Sequence, residues 1–357
     1  MSINSYTLSD NKEEKSFFEK IFEYKAGLLI FIGIAARVIM LFYYYYTHMI
    51  DPNRSWGDVG LNFKKPVFYP PLTTFLLYLF IFLSFNFIEI FAFYAFLWDL
   101  LSCLMFYFVL KSFNIKNRNY VFGLFLINPF WFLNNSFSLA NCGYHITDAF
   151  FFFFFFIALI YYPKEHIHAR YMFYIFLGLS MCTKYYTLLT VPLFFLKYLI
   201  EKDWKELKAL IICIFPLIIL LIIVPFFCLS WYSNESYTYV QLGYNIPIYV
   251  RIIPMILIMI IFTIFRLKNS DQLEISIISI IAVGSLIYFS YPYLRWFQCI
   301  VLFGILKEKE FFTFNLNLGF KNKQLSVNNH NITLFLSTFG VFLSYLYIIY
   351  IFNNSIL

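Results

Sequence analysis

The sequence is poor in charged residues for its length. Of its 357 residues, 13% are Asp, Glu, Lys or Arg and 62% are hydrophobic, whereas soluble domains carry roughly 25% charged residues. Apolar runs recur along almost the whole chain, and most reach the roughly 17 to 25 residues needed to cross a bilayer. The scarcity of charge excludes a soluble globular protein and predicts an all-α polytopic membrane protein.

Cysteine is also scarce, and its spacing excludes two classes of protein. The 6 cysteines are scattered, mostly inside apolar runs, and none forms a CxxC pair. This pattern predicts neither a disulfide framework nor a structural metal site. No cofactor is expected, and the use of a divalent metal is left open.

Hydropathy predicts about eleven membrane spans. No small-residue cleavage pattern follows the polar residues 1–25, so the first span is expected to be retained. The segment 71–85 is predicted to be a short interfacial or re-entrant helix, because counting it as a span would invert the sidedness of every later loop. The predicted spans cover residues 26–46, 87–110, 119–133, 147–162, 171–184, 186–200, 209–230, 247–265, 275–290, 294–306 and 333–351.

Lys and Arg are concentrated in alternate loops of this arrangement. The positive-inside rule then predicts a cytoplasmic N-terminus, with the less basic loops on the extracytoplasmic face. That face is the outside of the plasma membrane in a prokaryote and the lumen of the endoplasmic reticulum in a eukaryote. Topology explains the net charge of +7, and no nucleic-acid partner is expected.

Ionisable residues on the less basic face are the candidates for function, because each is costly in or near hydrocarbon. The first outer loop, residues 47–86, contains Asp51 and Asp58. Asp58 follows Gly57, a flexible setting for a carboxylate that approaches a sugar, although it could equally cap a turn. Asp51 precedes a proline, which is also typical of a turn.

Three further charged residues lie at predicted outer boundaries. Asp148 follows the second outer loop, residues 134–147, where it could bind an acceptor sugar, orient a basic group or cap a span that starts at Ala149; the cap is preferred. Lys184 and Arg295 lie near span ends, where a cation holds a lipid phosphate or extends to the headgroups.

Two opposite charges fall inside predicted spans. Arg37 lies in the first span and Asp99 in the second. A carboxylate at this depth is expensive unless it is paired or faces a cavity. We therefore expect an Arg37–Asp99 pair that ties the two spans together, in preference to a proton relay.

Short motifs follow one another in a characteristic order along the chain. They are GDVGLNF at 57–63, YPPL at 69–72, Asn-Pro at 128–129, the carboxylate of Asp148 and TKYYTLLTVP at 183–192. Together they resemble the motifs of the GT-C glycosyltransferases. The chain looks most like the polyprenol-phosphate-sugar-dependent mannosyltransferases, including the first mannosyltransferase of GPI-anchor assembly. The resemblance covers about the first 230 residues.

The resemblance implies a division of the chain and a reaction. Residues 1–25 would be a cytoplasmic segment, 26–230 a seven-span catalytic module and 231–357 further membrane helices. The implied enzyme is an inverting transferase that moves a sugar, most simply mannose, from a polyprenyl or dolichyl phosphate to a lipid or glycan acceptor. The resemblance also implies that membrane lipids surround the enzyme.

The resemblance also implies roles for single residues. Asp58 matches the general base, Asp148 an acidic position of the substrate site and Lys184 a basic position. Asp51 and Arg295 are further candidates for substrate binding. The first loop lacks a DxD motif, which leaves the acceptor and metal use open. The alternatives are a polytopic transporter or lipid flippase, or a non-catalytic scaffold.

Overall fold

The structure, a computed structural model, is helical over most of the residues it describes. These are residues 17–50, 70–83, 90–128, 146–227, 248–287, 303–307, 310–317 and 322–356. The α-helices are α1 (Phe17–Ile50), α2 (Pro71–Leu83), α3 (Phe91–Ser112), α4 (Arg118–Ile127), α5 (Ile146–Tyr161), α6 (Ile167–Thr183), α7 (Thr190–Glu201), α8 (Trp204–Phe227), α9 (Ile248–Phe265), α10 (Gln272–Ile287) and α11 (Asn329–Ile356).

The prediction of an all-α fold is confirmed at the level of fold class, because the described residues are mostly helical; one short hairpin is added to the helices. Strands β1 (Glu310–Asn317) and β2 (Asn322–Asn328) form an antiparallel hairpin that leads directly into α11. From Phe312 to Leu316 the sequence alternates apolar and polar residues, the period of a strand. The spans predicted from sequence leave residues 307–332 as a loop, with no strand.

Helices occupy the positions of all the predicted spans but one. The exception is the span predicted at 294–306, most of which lies outside the described residues. The described residues include three helices that are long and apolar enough to cross a membrane. The qualifying windows are Lys25–Phe42, Phe93–Ser112 and Trp204–Ile223. The other apolar helices are shorter, so the number of about eleven crossings stays a prediction. A helix also forms at Pro71–Leu83, as the sequence predicts.

Proline and left-handed residues set several helix boundaries. Pro71 is the first residue of α2, a position where its missing N–H costs nothing, and the N–H of Thr74 bonds to the carbonyl of Pro70 at 3.2 Å. At the end of α7, Lys202 adopts a left-handed conformation with φ of 57°. Its N–H bonds back to the last turn, which satisfies a carbonyl that the helix leaves free.

Helix α5 lies in the core of the helical body. Five of its seven consecutive phenylalanines have essentially no exposed surface; they are Phe150, Phe151, Phe152, Phe155 and Phe156. The helix packs mainly against α3 and α6. An α-helix that is apolar on every side is expected to be buried, and the phenylalanine run therefore forms the core of the bundle.

The basic turns meet at one end of this body. The rings of Phe113 and Tyr162 stack with centroids 5.7 Å apart, and Lys307 bonds to Asp271 at 2.7 Å. We call this the basic end; it comprises the turns at 113–117, 162–166, 202–203 and 266–271 together with residue 307. The opposite ends of the same helices, at 146–148 and 183–184, are the far end. The sequence predicts this segregation of charge; which side of a membrane each end faces stays a prediction.

Candidate substrate site at the far end

A buried ion pair marks the far end. Lys184 follows the last residue of α6, and its Nζ donates a hydrogen bond to Oδ1 of Asp148, in the first turn of α5. The side chains are 12% and 4% exposed. Asp148 thus contacts a basic group, one of the roles proposed from sequence. The preferred prediction, that it caps a helix starting at Ala149, is wrong because α5 begins at Ile146.

The helix ends favour the charges that they carry. The N-terminus of a helix bears a partial positive charge and the C-terminus a partial negative one. Asp148 lies at the N-terminus of α5 and Lys184 at the C-terminus of α6, so both are stabilised locally. The Lys184 ammonium also lies 5.3 Å from the centre of the Tyr186 ring. Pairing offsets much of the cost of burying the two ions.

Hydroxyl groups shape the chain just before Lys184. The side chain of Ser180 donates to the carbonyl of Leu177 at 2.7 Å, and that of Thr183 donates to the carbonyl of Ser180 at 2.6 Å. Lys184 is extended, with φ of −150° and ψ of 142°, and a short 3-10 turn follows at Tyr185–Thr187. This break between α6 and α7 leaves the Lys184 side chain beside α5.

The start of α2 meets the same break. Thr73 donates a hydrogen bond to the carbonyl of Thr183 at 2.7 Å, and both residues are fully buried. Beyond it, Leu76, Leu77 and Phe80 bury their side chains in a cluster with residues of α1, α3 and α5. The first turn of α2, within the first outer loop, is therefore fixed next to Lys184.

The structure brings together part of the predicted site. Asp148 and Lys184 are in contact, and Lys184 is turned into the protein, which argues against an extension to the headgroups. Asp51, Asp58 and Arg295 lie outside the described residues. Sequence analysis missed Thr73, although the two adjacent threonines directly after YPPL were a visible polar signal in an apolar segment.

The predicted pairing of Arg37 with Asp99 is confirmed. Nε of Arg37 lies 2.8 Å from Oδ2 of Asp99, and both side chains are almost completely buried. Arg37 also donates to the carbonyls of Gly33 and Leu126. The pair therefore joins α1, α3 and α4, as expected of a structural tie.

The basic end has a different polar network, which sequence analysis did not find. The amide of Gln272 donates to the hydroxyls of Tyr174 and Tyr198 at 2.9 Å and to Glu206 at 3.2 Å. Glu206 also pairs with Arg170. Gln272, Tyr198, Glu206 and Arg170 are among the residues that line a cleft of about 590 Å³. Tyr174 and Tyr198, which lie inside predicted spans, were a signal in the sequence, but hydropathy gives a tyrosine hydroxyl little weight.

Comparisons with known proteins give no relative of this chain. No family model, curated protein or solved structure matches it. In the part of the chain that the structure describes, no three His, Cys, Asp or Glu side chains gather to form a metal site. The far-end site and the sequence motifs are therefore the observations that bear on function.

Proposed function

We propose that the protein is a multi-pass membrane glycosyltransferase. It moves a monosaccharide, most simply mannose, from a polyprenyl or dolichyl phosphate to a lipid or glycan acceptor at the extracytoplasmic face. The lipid tail of the donor lies in the bilayer, and the far end is the extracytoplasmic end. The reaction inverts the configuration of the anomeric carbon.

One observation carries the proposal. Three separated segments that hold the motifs meet at the far end. They are the first turn of α2, which begins inside YPPL, the acidic residue Asp148 and the basic residue Lys184. The segment with Asp58 ends at Pro70, directly before α2. A buried cation beside a carboxylate, at the end of an apolar helical body, suits a substrate that is a sugar phosphate with a lipid tail.

Asp58 is the proposed general base. Its carboxylate takes the proton of the acceptor hydroxyl while the hydroxyl oxygen attacks the anomeric carbon. The bond between that carbon and the phosphate oxygen breaks, and polyprenyl phosphate leaves with the bonding electrons. The attack comes from the face opposite the leaving group, so the new glycosidic bond has the inverted configuration.

Lys184 is the proposed partner of the leaving phosphate. A phosphate leaving group needs stabilisation of its charge and little help from an acid. Asp148 holds the ammonium in the structure, so the phosphate would share the ammonium with Asp148 or replace this carboxylate. Asp148 thereby keeps the ammonium oriented while the donor is absent. Arg295 is a second candidate cation from sequence.

The experiment is transfer of radiolabelled mannose from short-chain polyprenyl phosphate mannose to lipid and glycan acceptors. Membranes would contain equal amounts of the wild type, Asp58→Asn, Lys184→Gln or Lys164→Gln. We expect Asp58→Asn to abolish transfer and Lys184→Gln to lower its rate about 10²- to 10³-fold, the usual loss when a charge-stabilising donor is removed. Lys164 is exposed at the basic end, so Lys164→Gln should match the wild type.

The outcomes separate the competing functions. Transfer that survives in Asp58→Asn at the wild-type rate would remove Asp58 from its role as base. No transfer from any polyprenyl phosphate sugar, by wild type or variants, would favour the transporter or flippase. The two buried ion pairs would then belong to a transport path.

A further inference from the structure

Helix α4 is half the length of a membrane span. Its ten residues, Arg118–Ile127, correspond to about 15 Å of helix, against a hydrocarbon core of about 30 Å. The chain leaves the helix at Asn128, which is 2% exposed and extended, with φ of −63° and ψ of 114°. Pro129 explains this, because the residue before a proline avoids the helical conformation.

A helix that ends inside the body leaves carbonyl groups without helical partners. Water satisfies such groups at a surface, but a hydrocarbon environment offers none. Three of the last carbonyls of α4 have protein donors in the structure. Phe125 accepts the N–H of Asn128 at 3.4 Å, Leu126 accepts Nη1 of Arg37, and Ile127 accepts the hydroxyl of Tyr345 at 2.8 Å.

Arg37 makes the strongest of these contacts because it is charged. A hydrogen bond from a cation is worth about twice a neutral one, and a positive charge at a helix C-terminus also opposes the negative end of the dipole. Nε of Arg37 bonds to Asp99, which holds the plane of the guanidinium while Nη1 reaches α4. The Arg37 side chain has no exposed surface.

The backbone contact that lets Arg37 reach α4 depends on Gly33. A Cβ atom at Gly33 would lie 2.5 Å from the Cβ of Leu126 and 2.9 Å from its carbonyl carbon. Gly33 is one helical turn before Arg37 and accepts a hydrogen bond from it at 3.1 Å. The absence of a side chain at Gly33 therefore allows α1 and the end of α4 to approach closely.

We propose that Arg37 is a positioning residue that caps the end of α4 and so fixes where the chain enters the segment 129–145. That segment connects α4 to Asp148, and its other end is held by the Asp148–Lys184 pair. The inference deepens the proposed function, in which Asp148 and Lys184 belong to the substrate site. Asp99 is the partner that orients the cap. A plain ion pair would hold α1 to α3, whereas the cap sets the end of α4.

The test is hydrogen exchange measured by mass spectrometry on the full chain in lipid nanodiscs. Loss of a charged hydrogen bond, about 1.5 to 3 kcal/mol, should speed exchange of the last amides of α4 about 10- to 100-fold in Arg37→Met. The charge-swapped variant Arg37→Asp/Asp99→Arg keeps opposite charges on α1 and α3 but moves the guanidinium to α3. We expect hydrogen exchange at the end of α4 to be as fast in this variant as in Arg37→Met. Hydrogen exchange of α6 peptides should match the wild type in both variants.

If the α4 amides of the charge-swapped variant are as protected from hydrogen exchange as in the wild type, the proposal is overturned, because an ion pair between α1 and α3 would then be enough to hold the end of α4. If neither variant folds, Tyr345→Phe removes only the donor to Ile127 and should speed the same amides a few-fold. Unchanged exchange in Tyr345→Phe would then count against capping. Arg37→Lys, which keeps a cation, should restore part of the protection.

Mannose transfer supplies the second readout. With the proposed function correct, Arg37→Met should lower kcat more than it raises KM for the donor, and Arg37→Lys should recover part of kcat. Equal activity of Arg37→Met and wild type would show that the end of α4 does not position the site. Absence of transfer by the wild type would refute the proposed function and leave the exchange test of capping intact.

Discussion

The two ends of the helical body hold their charges in different ways. At the basic end several ion pairs are partly exposed and share partners: Lys307 meets both Asp271 and Glu274, and Glu274 also meets Arg266. At the far end, within the described residues, Lys184 and Asp148 form a pair that is nearly closed off from solvent. Charges at the basic end can exchange partners or turn to solvent, whereas those at the far end depend on each other.

The largest effect should follow from breaking the far-end pair. Lys184→Met leaves the Asp148 carboxylate buried without this partner, and loss of one member of a buried pair costs about 3 to 5 kcal/mol. The double variant Asp148→Asn/Lys184→Met removes both charges and should recover most of that stability. Thermal unfolding in detergent, followed by size-exclusion chromatography, measures both. A double variant no more stable than Lys184→Met would contradict the argument.

A smaller loss is expected midway between the two ends, where α1 touches α4. Gly33→Ala inserts a methyl group against Leu126, and such overpacking costs about 1 to 3 kcal/mol. Gly27→Ala is the matched control, since nothing lies within 4 Å of a Cβ there; alanine favours helix, so this variant should be at least as stable as the wild type. Equal stability of the two variants would show that α1 and α4 separate easily.

The contact between α2 and the far end should contribute a similar amount. Thr73→Val keeps the shape of the side chain but leaves the carbonyl of Thr183 without its donor, a loss of about 1 to 3 kcal/mol. Thr338→Val is the control, because Thr338 makes a similar backbone hydrogen bond from an exposed position. Urea or thermal unfolding of both variants checks the difference. A larger loss in Thr338→Val would show that Thr73 does not hold α2.

The smallest effect should come from the basic end. The Arg266 side chain is 58% exposed and lies 3.7 Å from Glu274, and exposed pairs of this kind contribute about 0 to 1 kcal/mol. Arg266→Gln should therefore change the melting temperature little, and less still at high salt. A loss as large as that of Lys184→Met would abolish the contrast between the two ends.

Much of the helical fold was predictable because apolar run length and charge spacing determine where helices lie in a membrane protein. Arg37 and Asp99 could be paired from sequence, since opposite charges inside apolar runs need each other. The end of α4 was placed at 133, although Pro129 marks it six residues earlier at Ile127. A hydropathy window averages over many residues and does not register a single proline, whereas that proline ends the helix.

The pairing of Asp148 with Lys184 was not predicted, although both residues were selected. They are 36 residues apart, and their contact depends on how α5 packs against α6, which no local pattern encodes. The network around Gln272 was missed for a related reason. Its members are spread over α6, α7, α8 and α10, and each alone is an ordinary polar residue.

The phenylalanine run of α5 gives the Asp148–Lys184 pair one more consequence. Seven identical side chains make the middle of the helix insensitive to sliding, because a shift by one residue replaces phenylalanine with phenylalanine at six of these seven positions. Such a shift moves each position by about 1.5 Å and rotates it by about 100°. It would carry Asp148 away from Lys184, so the ion pair helps to fix the register of a helix whose middle does not distinguish one register from the next.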